Sequence, residues 1–212
     1  MEATSQAITV DIVIFGGGVA GLWLLNRAVS AGYNAIVLEQ AALGSGQTIA
    51  SQGMIHGGVK YTLSGALSGA SEAIADMPEH WRRCMDGEGD VDLRGTRVLS
   101  DHFYMWSSGS VASRLTTFLA SKALRGRVDA LDQTEYPRIF QHKAFKGSLY
   151  KLVDTVIDAG SLLETLSKTH SERIFAIDEQ TTRLHRQGDG AAVTLQVNGA
   201  PLTIHSQLCV LA

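Results

Sequence analysis

The first forty residues alternate between apolar runs and short polar or glycine-rich breaks. Residues 9–15 are almost continuously apolar and rich in β-branched side chains, which predicts a buried strand of a parallel sheet. Apolar residues at helical spacing then predict a helix over residues 19–31. A second buried strand is predicted over residues 35–38, ending at Glu39. Together these segments predict a β-α-β unit of about 30 residues.

The pattern changes after Glu39. Residues 44–58 hold five glycines and little periodicity, which predicts a long glycine-rich loop. A helical stretch is predicted over residues 63–85 with a break near Pro78. Strand formers follow over residues 96–106, and an amphipathic helix is predicted over residues 111–124.

The C-terminal part predicts one more helix and then strands. Ser161 is the expected N-cap of a helix ending near Lys168, with Glu164 completing a capping box. From Ile174 onward the chain predicts strands, and Asn198-Gly199 is a strong hairpin signal. A β-meander is therefore expected to close the sequence.

Composition narrows the class of protein. The 212 residues carry 18 Lys+Arg and 21 Asp+Glu, a net charge of −3, which disfavours nucleic acid as a partner. Two cysteines, Cys84 and Cys209, suggest neither a disulfide framework nor a zinc site and fit a reducing compartment, so a cytoplasmic location is expected. The apolar stretch over residues 19–25 is far shorter than the ~20 residues that span a bilayer, although peripheral contact with the inner membrane face stays open.

A glycine motif stands between the first predicted strand and helix. Gly16-x-Gly18-x-x-Gly21 has the spacing that allows a tight turn, close approach to a pyrophosphate and close helix–strand packing. The helix N-terminus would face the phosphates with its free N–H groups. Glu39, at the end of the second strand, can accept hydrogen bonds from ribose hydroxyls and would repel a 2′-phosphate, which disfavours NADP. The combination predicts dinucleotide binding.

FAD and NAD share this motif, so the next segment has to distinguish them. The small side chains of residues 44–58 let backbone N–H groups approach a bulky, electron-rich ligand. An ordinary amphipathic helix would be expected at this place in an NAD enzyme. The loop therefore favours FAD.

At this point the sequence resembles a known family. The strand followed by Gly-Gly-Gly-Val-Ala-Gly-Leu, Glu39, and the segments Gly46-Gln47-Thr48 and Ser51-Gln52-Gly53-Met54-Ile55-His56-Gly57-Gly58-Val59-Lys60-Tyr61 resemble the D-amino-acid-oxidase-type flavoproteins. The resemblance is strongest to the branch of FAD-dependent glycerol-3-phosphate and L-2-hydroxyglutarate dehydrogenases, and it is carried mainly by the first 60 residues.

The resemblance implies an α/β fold: a Rossmann-like, glutathione-reductase-type FAD-binding sheet with a β-meander and an inserted α+β substrate domain. Residues 1–89 and 158–212 would form the FAD-binding domain, and residues 90–157 part of the substrate domain. The last strand would continue toward the flavin in the family, so the chain is expected to be an N-terminal fragment, incomplete at its C-terminus. Its strand over residues 208–211 would then expose pairing groups and favour aggregation.

The family's cofactor positions carry over residue by residue. The glycines would hold the pyrophosphate, Glu39 the adenosine ribose, the following loop the ribityl chain and flavin ring, and the backbone near Thr181 the adenine. The full set implied is Gly16, Gly18, Val19, Ala20, Gly21, Glu39, Gln40, Ser45, Gln47, Thr48, Ser51, Gln52, Gly53, Met54 and Thr181.

His56 is the candidate for substrate contact or proton transfer, because it follows the flavin loop and imidazole titrates near neutrality. The alternative is a histidine that only hydrogen-bonds the loop backbone. Lys60, Tyr61 and Arg97 are candidate anion-binding residues, with ordinary surface positions as the alternative. Tyr104 and Trp106 fall on one side of a predicted strand, where core packing is expected.

These observations predict an FAD-dependent oxidoreductase that takes a hydride from a CH–OH or CH–NH carbon of a small anionic substrate. A 2-hydroxy acid, glycerol phosphate or an amino acid would qualify, with oxygen or a quinone as electron acceptor. The alternatives are a non-catalytic or truncated dinucleotide-binding fragment and an NAD-linked dehydrogenase. Scattered histidines without ligand spacing give no metal site.

Overall fold

The computed structural model describes residues 6–57, 76–107, 128–197 and 199–212. The chain divides into two compact units. Unit one consists of residues 1–51, 84–96 and 159–212, and unit two of residues 52–83 and 97–158. The predicted boundaries differ from this division: residues 52–83 and 158, predicted in the FAD-binding domain, lie in unit two, and residues 90–96, predicted in the substrate domain, lie in unit one.

Unit one is built on a six-stranded sheet. Its strands are β1 Gln6–Phe15, β2 Ala35–Glu39, β9 Ile174–Ala176, β10 Arg183–Gln187, β11 Gly190–Val197 and β12 Ala200–Leu211. They lie in the order β10-β11-β12-β1-β2-β9. Strands β12, β1, β2 and β9 are parallel, and β10 and β11 pair antiparallel at one side, as a β-meander requires.

The continuous apolar runs of β1 and β2 are explained by burial on both faces. Val13 and Ile36 lie in one hydrophobic cluster with residues of β11 and β12. Their neighbours Ile14 and Val37 lie in a second cluster that includes Leu25 of the first helix. Since successive strand residues point to opposite faces, a strand covered on both sides needs no polar alternation. The predicted β-α-β unit is confirmed.

The described helices are α1 Val19–Ser30, α2 Gln47–Ala50, α3 Met77–Met85 and α4 Ala159–Lys168. The predicted start of α4 is wrong: the helix begins at Ala159, so Ser161 lies in its first turn and cannot be the N-cap. The segment predicted as an irregular loop also contains α2 and the short strand β3 Met54–Ile55. The sequence did not predict these two elements, because each is too short to show a hydrophobic period and both lie among glycines.

Unit two contains two three-stranded antiparallel sheets, in the orders β3-β8-β4 and β5-β7-β6. Their strands are β3, β4 Val98–Ser100, β5 Phe103–Ser107, β6 Val128–Ala130, β7 Ser148–Leu152 and β8 Thr155–Ile157. The strand predicted over residues 96–106 is thus two strands. The helix predicted over residues 111–124 and most of the one predicted over residues 63–85 lie outside the described residues.

The predicted hairpin near the C-terminus is confirmed by register. Val197 pairs with Ala200, so the connection has two residues, and Gly199 has a positive φ of 78°. This conformation is the one that glycine adopts without steric cost.

Candidate functional site

The turn between β1 and α1 is packed so tightly that only glycine fits. Gly16 has a φ of +111°, and a Cβ there would lie 2.4 Å from the carbonyl oxygen of Ala212 at the end of β12. A Cβ on Gly21 would lie 1.9 Å from the carbonyl oxygen of Gly16. The two glycines therefore allow α1 to start directly against the carboxyl ends of β1 and β12.

Glu39 is held against this turn by two backbone N–H groups. The N–H of Gly17 donates to Oε2 of Glu39 at 2.5 Å, and the N–H of Ala41 donates to Oε1 at 2.7 Å. A Cβ on Gly17 would meet Leu43 and Glu39 itself, which explains why the middle position of the triplet is also glycine. The carboxylate is thus fixed at the carboxyl end of β2.

Thr48, on α2, closes the other side of the turn. Its Oγ1 accepts a hydrogen bond from the N–H of Val19 at 3.1 Å, at the start of α1. Gly18, the N-cap residue of α1, has no side chain that could cap the first N–H groups of the helix. The N-terminus of α1 is therefore bordered by small residues and by one hydroxyl, which suits an anion that approaches the backbone.

These elements surround a cavity of about 450 Å³ within unit one. Nine residues predicted to bind the cofactor line it: Gly16, Gly18, Val19, Ala20, Glu39, Gln40, Ser45, Gln47 and Thr48. Sequence reasoning missed four further lining residues: Ala41, Gly44, Gly46 and Ala212. The two glycines could have been found as members of the glycine-rich loop, whereas Ala212 becomes visible only through the pairing of β12 with β1.

The donor set fits the adenosine diphosphate half of FAD. The cavity offers a helix N-terminus, a cradle of glycines that a Cβ would fill, and a fixed carboxylate at the end of the second strand. A pyrophosphate needs the first two features and ribose hydroxyls the third.

The other predicted cofactor residues do not line this cavity. Gly21 lies behind the turn, and the hydroxyl of exposed Ser51 donates to the carbonyl oxygen of Thr48 at 2.8 Å. Thr181 is exposed in a turn in which its N–H donates to the carbonyl oxygen of Asp178. Gln52, Gly53 and Met54 belong to unit two.

In unit two, His56 contacts a buried carboxylate. Its Nδ1 lies 3.1 Å from Oδ2 of Asp154, whose side chain is only 5% exposed, while the imidazole is 44% exposed. The N–H of Gly57 donates to Oδ1 of the same carboxylate at 3.0 Å. Asp154 was not singled out in the sequence, where it is one of many isolated acidic residues.

The candidate anion-binding residues differ in what surrounds them. Arg97 pairs with Asp158, with Nη2 3.1 Å from Oδ2, so its charge already has a carboxylate partner. Lys60 and Tyr61 lie outside the described residues. Trp106 does not pack in a core as expected: it is 59% exposed and makes an edge contact with Phe145.

Comparison with known proteins gives consistent matches. The family model described as FAD dependent oxidoreductase (DAO) matches residues 11–212. A probable FAD-dependent oxidoreductase of Pseudomonas aeruginosa is 49% identical over 171 residues, which are 81% of this chain and 44% of that protein. The chain therefore spans less than half the length of this curated relative.

Solved structures agree on the fold. The crystal structure of an FAD dependent oxidoreductase from Pseudomonas aeruginosa matches with a TM-score of 0.73 and 36% identity, covering 99% of this chain and 48% of that one. Glycine oxidase from Geobacillus kaustophilus matches with a TM-score of 0.71 and 17% identity, covering 96% of this chain and 55% of that one. L-α-glycerophosphate oxidase from Mycoplasma pneumoniae, solved with FAD bound, matches with a TM-score of 0.62 and 14% identity. The match covers 95% of this chain and 53% of that one.

None of the helices in the described part of the chain has both the length and the apolar character needed to cross a membrane.

Proposed function

The chain belongs to the FAD dependent oxidoreductase (DAO) family, and from this premise we propose that unit one binds FAD in its cavity and that the whole protein oxidises a small anionic substrate. The observation that carries this proposal is the cavity itself. Nine of the residues assigned to FAD from the sequence line one space of about 450 Å³. These nine residues lie between positions 16 and 48 of the chain.

The residues of the cavity have separable roles in this proposal. The N–H groups at the start of α1 and the glycines Gly16 and Gly18 hold the pyrophosphate. Glu39 accepts hydrogen bonds from the adenosine ribose, and its two backbone donors keep the carboxylate in place. Gln40, Ser45, Gln47 and Thr48 complete the wall, and Ser51, Gln52, Gly53, Met54 and Thr181 are proposed to contact the cofactor from outside the described cavity.

The chemistry at the substrate is assigned by residue type. Bound FAD supplies a two-electron hydride acceptor, and the protein supplies orientation and a group for the proton. His56 accepts the proton of a substrate hydroxyl or ammonium group, and Lys60 and Tyr61 bind the substrate's negative charge. Arg97 can join them only by exchanging Asp158 for the substrate's carboxylate or phosphate.

The substrate class in this proposal is a 2-hydroxy acid or glycerol phosphate, with an amino acid as the second candidate. Oxygen or a quinone is the proposed electron acceptor and the cytoplasm the proposed location. The sequence segment around His56 supports a hydroxyl-bearing substrate through its resemblance to the hydroxyglutarate and glycerol-phosphate branch. The likeness to glycine oxidase supports the fold alone.

The cofactor assignment is tested by titrating FAD into the purified 212-residue chain and following flavin fluorescence. We expect Glu39→Gln to weaken FAD binding about 10-fold or more, because hydrogen bonds to a charged group contribute roughly 1.5–3 kcal/mol. Glu164→Gln, an exposed glutamate on α4 outside the cavity, is the matched control and should bind FAD like the wild type. Binding of NAD in place of FAD would contradict the proposal, as would failure of both this chain and a C-terminally extended chain to bind FAD.

A further inference from the structure

The contact between His56 and Asp154 follows from strand register. Strand β3 runs antiparallel to β8 with Met54 opposite Val156 and Ile55 opposite Thr155. Continuing this register by one residue brings His56, directly after β3, opposite Asp154, directly before β8. The backbone ladder of unit two therefore sets the pair, and no flexible loop has to bring the two side chains together.

The environment of Asp154 determines which ring nitrogen carries a proton. A carboxylate that is 5% exposed is costly unless donors satisfy its oxygens. The N–H of Gly57 satisfies Oδ1, and the ring of His56 is the group facing Oδ2. A neutral imidazole has one donor and one acceptor nitrogen, and an acceptor facing a carboxylate oxygen would be repelled. Nδ1 therefore carries the proton, and Nε2 keeps its lone pair.

We propose that Asp154 is a positioning residue, which holds His56 in the Nδ1–H tautomer so that Nε2 is the available proton acceptor. This inference rests on the proposed role of His56. When Nε2 takes a proton from a substrate hydroxyl or ammonium group, the ring becomes an imidazolium whose Nδ1–H still donates to Asp154. The buried carboxylate then balances the new positive charge, as the aspartate of a Ser-His-Asp triad does for its histidine.

The groups around the pair support a fixed carboxylate. The guanidinium of Arg82 donates to the carbonyl oxygen of Val153, the residue before Asp154, and so restrains the short connection between β7 and β8. Gly57 is buried, and its N–H donor is a backbone group that cannot rotate away. Asp154 is thus fixed from both sides, while the imidazole, 44% exposed, leaves room for a substrate at Nε2.

The same unit contains a natural control. His102 contacts Asp101 through its Nδ1, but that carboxylate is 80% exposed. The hydrogen bond and the charge of His102 lower the pKa of Asp101, yet water can replace either partner. We expect the tautomer of His102 to be much less biased than that of His56.

The test is a ¹⁵N-histidine spectrum of the full 212-residue chain, recorded at a pH where the imidazoles are neutral. Seven histidines are present, and His56→Gln identifies the His56 signals by their loss. Asp154→Asn is the decisive variant, because Oδ1 of asparagine can still accept from Gly57 while its NH₂ group donates to Nδ1. His56 should then switch to the Nε2–H tautomer. Asp101→Asn is the matched control and should leave the His56 signals unchanged.

The catalytic consequence is measured in the full-length enzyme. Asp154→Asn should lower kcat about 100-fold or more with little change in KM, because general acid–base transfer contributes roughly 10²–10⁴-fold. A purely structural role for Asp154 would leave kcat of the folded Asp154→Asn enzyme close to the wild-type value.

The outcomes separate this inference from the proposed function. An Nε2–H tautomer, or one as mixed as that of His102, in the wild type overturns the inference even if Asp154→Asn fails to fold. The expected tautomers together with full activity of His56→Gln would support the positioning by Asp154 and overturn the proton-transfer role of His56.

Discussion

Gly21 is the residue on which the turn between β1 and α1 depends most directly. A Cβ at this position would lie 1.9 Å from the carbonyl oxygen of Gly16 and 3.3 Å from a methyl group of Ile14, a core residue. Neither neighbour can move without shifting β1. We therefore expect Gly21→Ala to destabilise the chain by about 1–3 kcal/mol, the usual cost of overpacking, measured by urea denaturation.

Gly46 provides the control for this substitution. It also lines the cavity, but nothing lies within 4 Å of its Cβ position. Gly46→Ala therefore meets no steric clash and should lower the free energy of unfolding less than Gly21→Ala does. Equal unfolding curves for both variants would show that the turn is not sterically constrained.

At the residue scale, sequence reasoning succeeded where a short motif carries the chemistry. Gly16, Gly18 and Glu39 were found by spacing, and all three line the cavity. Asp154 could not be found in this way, because its role arises from a strand register between residues 98 positions apart. Local spacing cannot encode a pairing over that distance.

Among the helices, α1 and α4 are joined by a buried asparagine. The Nδ2 group of Asn26, 7% exposed, donates to the carbonyl oxygens of Leu22 and of Leu166, both at 2.8 Å. Leu166 lies in the last turn of α4, where carbonyl groups lack a partner within the helix. The side chain of Asn26 on α1 thus provides a hydrogen-bond donor for a carbonyl group at the C-terminal end of α4.

We expect Asn26→Ala to lower the free energy of unfolding by about 1–3 kcal/mol, since it leaves the carbonyl group of Leu166 without its donor in a buried place. Asn34→Ala is a suitable comparison, because Asn34 also hydrogen-bonds through its side chain but is exposed. Its substitution should cost less than half as much in the same denaturation experiment. A similar cost for the two would mean that the buried link contributes little.

Elements with a clear pattern of apolar residues were predictable from the sequence, whereas the helix start that was assigned from a capping motif was not. Strands β1 and β2 and helix α1 appear within a few residues of their predicted bounds, because both faces of the strands are covered. The start of α4 was misplaced by three residues, because Ser161 and Glu164 have the spacing of a capping box although both lie inside the helix. A local motif of this kind fixes no boundary when the preceding residues also adopt helical geometry.

At the scale of the whole chain, the first division between the units falls within the glycine-rich segment, whereas the predicted domain boundary lies after residue 89. The chain enters unit two after Ser51 and returns to unit one for residues 84–96 before leaving it again. The sequence carries no signal for this second crossing, because the glycines and acidic side chains of residues 84–96 indicate a turn but not the unit with which it packs. Tertiary contacts alone assign them.

The C-terminal strand gives the chain an exposed edge. Strand β12 pairs with β1 as far as Leu211, but its pairing with β11 reaches only Ser206. Residues 207–211 therefore have one partner strand among the described residues, and Leu208 and Leu211 are 52% and 77% exposed. The backbone N–H and C=O groups predicted to be exposed are those on the side of β12 that β11 does not reach, because β1 pairs with the other side. Edges of this kind favour self-association.

We expect the 212-residue chain to self-associate at raised concentration and Leu208→Lys to reduce this, measured by light scattering coupled to size-exclusion chromatography. Leu184→Lys on β10 adds the same charge to an equally exposed leucine, 46% against 52%, and should change little. The reason is that β10 already carries Arg183, His185 and Arg186, and charged side chains protect an edge strand. Both substitutions move the net charge of −3 equally toward zero, so a difference between them can come only from the edge of β12. A wild-type chain that stays monomeric, or an equal response of the two variants, would contradict this account.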